Sequence, residues 1–210
     1  MNSESKRGFL VVFEGIDGAG KTAQSQWLQE SLEELPLPVV RTKEPTAGRY
    51  GQMLRDSALS GRLSAEEEVE AFMNDRREHV ATLIKPALAA VKIVIIDRYY
   101  FSTAAYQGCR GLDPQALIAQ NEQFAPEPDL LIILDVDPKL GLERIRARGD
   151  QANHFEKTAT LEKARSIFLN IHKPYKVVID GLLPREEVRA IVLREVLRRL
   201  PKTAPQSRLV

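Results

Sequence analysis

Four short apolar runs, largely β-branched, limit what this chain can fold into: FLVVF (9–13), KIVIID (92–97), LLIILDV (130–136) and YKVVID (175–180). A fifth, weaker run is PVVRTK (38–43). Such near-continuous hydrophobicity marks strands buried on both faces, as in a parallel sheet. Helical patterns fill the intervals at 20–34, about 50–59, 65–90, 114–124, 138–148, 160–172 and 184–200. Strand and helix in alternation predict a doubly wound α/β fold with right-handed crossovers. Ligands of such folds gather at the carboxyl ends of the strands. Here those ends read Glu14-Gly15-Ile16-Asp17, Glu44-Pro45-Thr46, Asp97-Arg98-Tyr99 and Asp135-Val136-Asp137. That much charge on one rim predicts an active site there.

Composition narrows the partners. A chain of 210 residues reads as a single domain, 1–210, with no internal repeat and a frayed tail at 201–210. The net charge of +1 gives no global attraction to nucleic acid or to an acidic membrane. Cys109 is the only cysteine, which excludes an internal disulfide and any multi-cysteine metal site. MNSESKRG lacks the apolar stretch of a signal peptide, and no apolar run is long enough to span a membrane. The expected location is the cytoplasm.

The segment Gly15, Ile16, Asp17, Gly18, Ala19, Gly20, Lys21, Thr22 fits G-x-x-x-x-G-K-[ST] between a buried strand and a helix. Backbone N–H groups of such a loop converge on phosphate oxygens, and the helix N-terminus adds partial positive charge. Lys21 is placed to bridge the β- and γ-phosphates of ATP and Thr22 to ligate Mg²⁺. Asp97, at a neighbouring strand end, is a second candidate for the metal. Arg98 beside it suits either the phosphate of an acceptor or a local pair with Asp97.

Two helical faces carry further chemistry. Phe72, Asp75, Arg76 and His79 share one face of the 65–90 helix. Phe72 stacks on a flat ring while Arg76 bonds a ring carbonyl, or else Phe72 lies in the core and Arg76 in a surface ion pair. His79 reads as structural. Arg144, Arg146 and Arg148 precede a polar loop, so they either stabilise the transferring phosphoryl group from a lid or complement the helix macrodipole.

Together FEGIDGAGKT, KEPT, FMNDRREH, DRYYFSTAAYQG and the arginine-rich stretch resemble the thymidylate kinase family of nucleoside monophosphate kinases, from Phe9 to about Asp180. The resemblance implies a three-layer P-loop fold with a five-stranded parallel sheet, flanking helices and a short lid at about 146–158. It also implies a homodimer and Mg²⁺-dependent transfer of the ATP γ-phosphoryl group to dTMP, giving dTDP. On the acceptor side it implies Asp17 at the 3′-hydroxyl, Arg98 and Arg55 at the 5′-phosphate, and Tyr106 beneath the deoxyribose. Phe72, Arg76, Thr103 and Gln107 then surround the base, with Glu44 in a segment whose Glu44-Pro45 peptide is often cis in the family. The resemblance further implies Lys21 and Arg98 in catalysis and, because Gly18 occupies the position where some members place a P-loop arginine, an arginine from the set Arg144, Arg146 and Arg148, of which helix geometry favours Arg148 and Arg144. Two departures are Thr46-Ala47-Gly48 in place of the common G-G after E-P, and Asn153-His154-Phe155-Glu156 in place of D-R-x-E. Other readings on the same scaffold are a kinase of dUMP, UMP or dGMP, or a P-loop nucleotide switch.

Overall fold

The computed structural model describes residues 7–35, 38–147 and 154–201. Residues 148–153 of the expected lid, Arg148 among them, and nearly all of the C-terminal tail lie outside them. The strands are β1 (Phe9–Glu14), β2 (Val39–Lys43), β3 (Ile93–Asp97), β4 (Leu130–Asp135) and β5 (Lys176–Asp180). All pairings are parallel, in the order β2-β3-β1-β4-β5. β1 is buried along its whole length and β3 likewise, which accounts for their unbroken apolar sequences. β2 and β5 are the edges; apart from buried Ile179 their residues are partly buried or exposed, and β2 is correspondingly the weakest run in the sequence.

Register brings the functional residues together. Phe13 and Lys43 both lie opposite Asp97, Glu14 lies opposite Ile133, and Asp135 lies opposite Asp180. The carboxyl ends therefore form one level edge, and the loops that leave it open on the same side.

The helices are α1 (Lys21–Glu33), α2 (Arg49–Ser60), α3 (Ala65–His79), α4 (Lys85–Ala89), α5 (Tyr100–Cys109), α6 (Pro114–Glu122), α7 (Pro138–Arg146), α8 (His154–Leu169) and α9 (Arg185–Arg199). α1 packs on β2, β3 and α9, while α5 packs on α6 and α8. α3 opens with a capping box, in which Ser64 and Glu67 satisfy each other's backbone N–H groups. Among the described residues no helix is long and apolar enough to cross a membrane.

Three elements differ from the sequence expectation, one of them α5, which no expected helical interval covers. The helix expected over 65–90 is interrupted by a π turn at Val80–Ile84, where Lys85 N–H bonds Val80 C=O. Pro86 explains it: in a regular helix its ring would clash with the Thr82 carbonyl, and the wider turn relieves the conflict. α8 begins at His154 rather than 160, so helix extends into the expected lid.

Candidate active site

The loop between β1 and α1 wraps around its own lysine. Lys21 is buried, and its Nζ donates to the carbonyls of Gly15 (2.9 Å) and Ile16 (2.8 Å). Burial lowers the pKa of this ammonium, the nearby Arg98 lowers it further, and Asp17, Asp97 and Glu14 oppose both. Thr22 Oγ1 donates to Asp97 Oδ2 at 2.5 Å. Asp97 Oδ1 is buried and lacks a hydrogen-bond partner among the described residues. A hydroxyl and a half-satisfied carboxylate are hard oxygen donors, a set that suits Mg²⁺.

Gly18 sits at φ 82, a backbone conformation that disfavours any side chain. Its backbone also lies against α7: a Cβ at Gly18 would come within 2.2 Å of the Gly141 carbonyl oxygen. Arg144, one turn along α7, donates to the carbonyls of Gly18 (3.3 Å) and Gly181 (3.4 Å). Arg146 is exposed on the same helix.

A cavity of about 400 Å³ follows the loop, lined by Asp17, Gly18, Gly20, Lys21, Thr22, Ala23, Gln26 and Arg98. A second, of about 230 Å³, runs inward from it. Eight of the nine expected acceptor residues line this second space: Asp17, Glu44, Phe72, Arg76, Arg98, Thr103, Tyr106 and Gln107. Arg55 lines instead an adjoining cavity between α2 and α3, and its Nη1 donates to Thr46 C=O at 2.8 Å.

Asp17 and Arg98 belong to both main cavities and are paired to each other. Arg98 therefore pairs with the phosphate loop rather than with its neighbour Asp97. Burial alone would raise the Asp17 pKa, but Arg98 and Lys21 outweigh it and hold the carboxyl below its ordinary value. Arg98 has φ 68, a strained conformation for an arginine, fixed by its N–H on Phe13 C=O (3.0 Å) and by Nη1 on Ser102 Oγ (3.2 Å). Tyr106 completes the junction, its hydroxyl accepting from Asp17 N–H at 3.0 Å.

At the far end Arg76 is almost fully buried. Its Nε and Nη2 meet Glu44 Oε2 at 2.8 and 2.7 Å, Nη2 donates to Thr103 Oγ1 at 3.2 Å, and Nη1 to Asn121 Oδ1 at 2.6 Å. The ion pair is thus buried rather than superficial. His79 is the structural residue expected, held between Glu44 Oε1 (3.0 Å) and Thr42 Oγ1 (2.8 Å). The Glu44-Pro45 peptide is cis. The departure at Thr46 has a clear partner: its N–H and hydroxyl both donate to Asp75, at 2.8 and 2.6 Å, which ties the loop to α3.

Several site residues were not apparent in the sequence. Glu14, fully buried, accepts from the N–H groups of Tyr99 (2.8 Å) and Ser102 (2.9 Å) and from Ser102 Oγ (2.6 Å). Burial pushes its pKa up to about 7, although these bonds and Arg98 act against the rise. Glu68 lines the second cavity and receives Arg62 Nε (2.7 Å), Arg110 Nη1 (2.8 Å) and Gln107 Nε2 (2.6 Å). Glu68 does fall on the Phe72–Arg76 face at helical spacing, which was the available signal. Pro45, Arg62, Tyr99 and Ser102 complete the lining.

Comparison with known proteins agrees with this geometry. A family model described as thymidylate kinase matches residues 13–192. A thymidylate kinase of Akkermansia muciniphila is 50% identical over 196 residues, covering 93% of this chain and 95% of that protein. Thymidylate kinases of Xanthomonas campestris pv. campestris strain B100 and Xanthomonas oryzae pv. oryzae strain PXO99A are 51% and 49% identical over 197 residues. Each alignment covers 92% of this chain and 86% of the relative.

Proposed function

Because this chain belongs to the thymidylate kinase family, we infer that it transfers the γ-phosphoryl group of ATP to dTMP, giving dTDP. The observation that carries the reading is the shared wall: the phosphate-loop cavity and the acceptor cavity meet at Asp17 and Arg98. A donor in one and a monophosphate in the other face each other across that junction, which converts a bimolecular encounter into a positioned one.

The residues then divide by role. On ATP binding, Lys21 exchanges the carbonyls of Gly15 and Ile16 for phosphate oxygens, which favour its charged form. Arg98 turns to the acceptor 5′-phosphate, and Asp17 accepts a hydrogen bond from the 3′-hydroxyl. Tyr106 lies beneath the sugar, Phe72 against the base, and Arg76 donates to its 4-oxygen, with Thr103 and Gln107 alongside. Arg144, touching the phosphate loop from α7, supplies positive charge where it develops during transfer, with Arg148 as the second candidate. Arg55, from the neighbouring cavity, supports the acceptor-phosphate side. Thr22 and Asp97 would hold Mg²⁺, which neutralises phosphate charge when bound. The family reading also carries a homodimer and a cytoplasmic location, the former checked by light scattering on the purified chain.

The deciding experiment is a coupled ADP-release assay with a panel of monophosphates. A preference for dTMP over UMP, dUMP, dCMP and dGMP is expected; UMP turnover equal to dTMP turnover overturns the assignment.

A further inference from the structure

An arginine has five N–H donors and no acceptor, so the way it reads a ligand depends on which donors are already used. In Arg76 the Nε donor goes to Glu44, whose Oε2 also lies 2.7 Å from Nη2 as an ion pair, one Nη2 donor goes to Thr103, and one on Nη1 goes to Asn121. One Nη1 donor remains, on a guanidinium that lines the acceptor cavity. The Tyr99 ring lies 5.5 Å from the guanidinium carbon and supports the cation.

Asn121 is the only member of this set that comes from α6. It is fully buried, it does not line the acceptor cavity, and both ends of its amide are committed. Nδ2 donates to the Leu117 carbonyl one turn earlier at 2.8 Å, which leaves Oδ1 facing Arg76. Glu44 grips the guanidinium at its Nε and Nη2 corner, so it does not fix rotation of the Nη1 corner about that contact. The bonds to Thr103 and Asn121 do, and the one to Asn121 is the shorter, 2.6 against 3.2 Å.

We propose that Asn121 is a positioning residue for base recognition: it holds Nη1 of Arg76 so that its remaining N–H points into the cavity, where a carbonyl at position 4 of the pyrimidine can receive it. The inference rests on the dTMP kinase reading above. A 4-amino base offers a donor at that place, so discrimination between dTMP and dCMP depends on a residue that touches neither.

The test is steady-state kinetics on Asn121→Leu, Arg76→Ala and the double variant. Asn121→Leu is expected to raise the KM for dTMP about tenfold, the scale of one charged hydrogen bond. The KM for ATP and kcat at saturating dTMP should change little, and the dTMP:dCMP ratio of kcat/KM should narrow. In the Arg76→Ala background, adding Asn121→Leu should have almost no further effect, because the two act as one unit. Should Asn121→Leu fail to fold, Asn121→Ser gives the same readout, since its hydroxyl can bond the Leu117 carbonyl but stops short of the guanidinium. Equal losses in kcat and in both KM values, an unchanged dTMP:dCMP ratio, or additive effects in the double variant would overturn the role of Asn121. A parent protein that does not turn over dTMP overturns the underlying reading instead, so the two failures are told apart by the first assay.

Discussion

Glu14 shows how much one side chain can carry. Its carboxylate replaces the missing side-chain cap of α5 and accepts from the N–H groups of Tyr99 and Ser102 and from the Ser102 hydroxyl. Glu14→Ala is expected to cost about 2–3 kcal/mol in urea unfolding, whereas Glu14→Gln, which keeps an acceptor, should cost less. Glu68 lends itself to a pH test. Burial opposes its ionised form, but Arg62 and Gln107 prevail and hold its pKa below 4.5. Its stabilising contribution is therefore complete above that value and drains away as pH falls through the lowered one. Melting curves of the parent and Glu68→Gln should be separated at neutral pH and converge in acid. The sequence made Lys21, Phe72, Arg76 and Arg98 legible because each sits in a local motif. Glu14 was visible only as one of the rim charges; its capping role was not, since its partners Tyr99 and Ser102 lie a whole βα unit and more away along the chain.

At the scale of elements, the contact between the phosphate loop and α7 decides where a catalytic arginine can come from. Gly18 and Gly141 meet backbone to backbone, and Arg144 crosses the junction. Gly18→Arg is thus expected to abolish activity instead of supplying an arginine from the loop, because both the positive φ and the Gly141 carbonyl oppose its Cβ. Gly18→Ala should already lower kcat by more than about tenfold, a displacement of the reacting groups being enough for that; single-turnover phosphoryl transfer would measure it. The strands and most helices were readable from periodicity. α5 was not: its opening, Tyr100-Phe101-Ser102-Thr103, is poor in helix formers, and its N-terminus is held by a distant carboxylate. The π turn was hidden for a related reason, since Pro86 reveals a break but not its form.

For the whole molecule, the strand order places β1 at the centre and makes its loop the meeting point of two cavities. Every strand contributes to one edge, which is why residues as far apart as Asp17, Glu44, Arg98 and Arg144 share a site, and why the rim was foreseeable from the charges at the strand ends. The Asp17–Arg98 pair at the junction has one more implication. Asp17 neutralises Arg98 across the junction, so in the proposed reaction the pair must part before that cation can serve a phosphate. Asp17→Asn, which frees the cation, is expected to raise phosphate release from ATP in the absence of dTMP. The ion pair would then act as a guard on the cell's ATP, lifted only by the molecule that is meant to receive the phosphate.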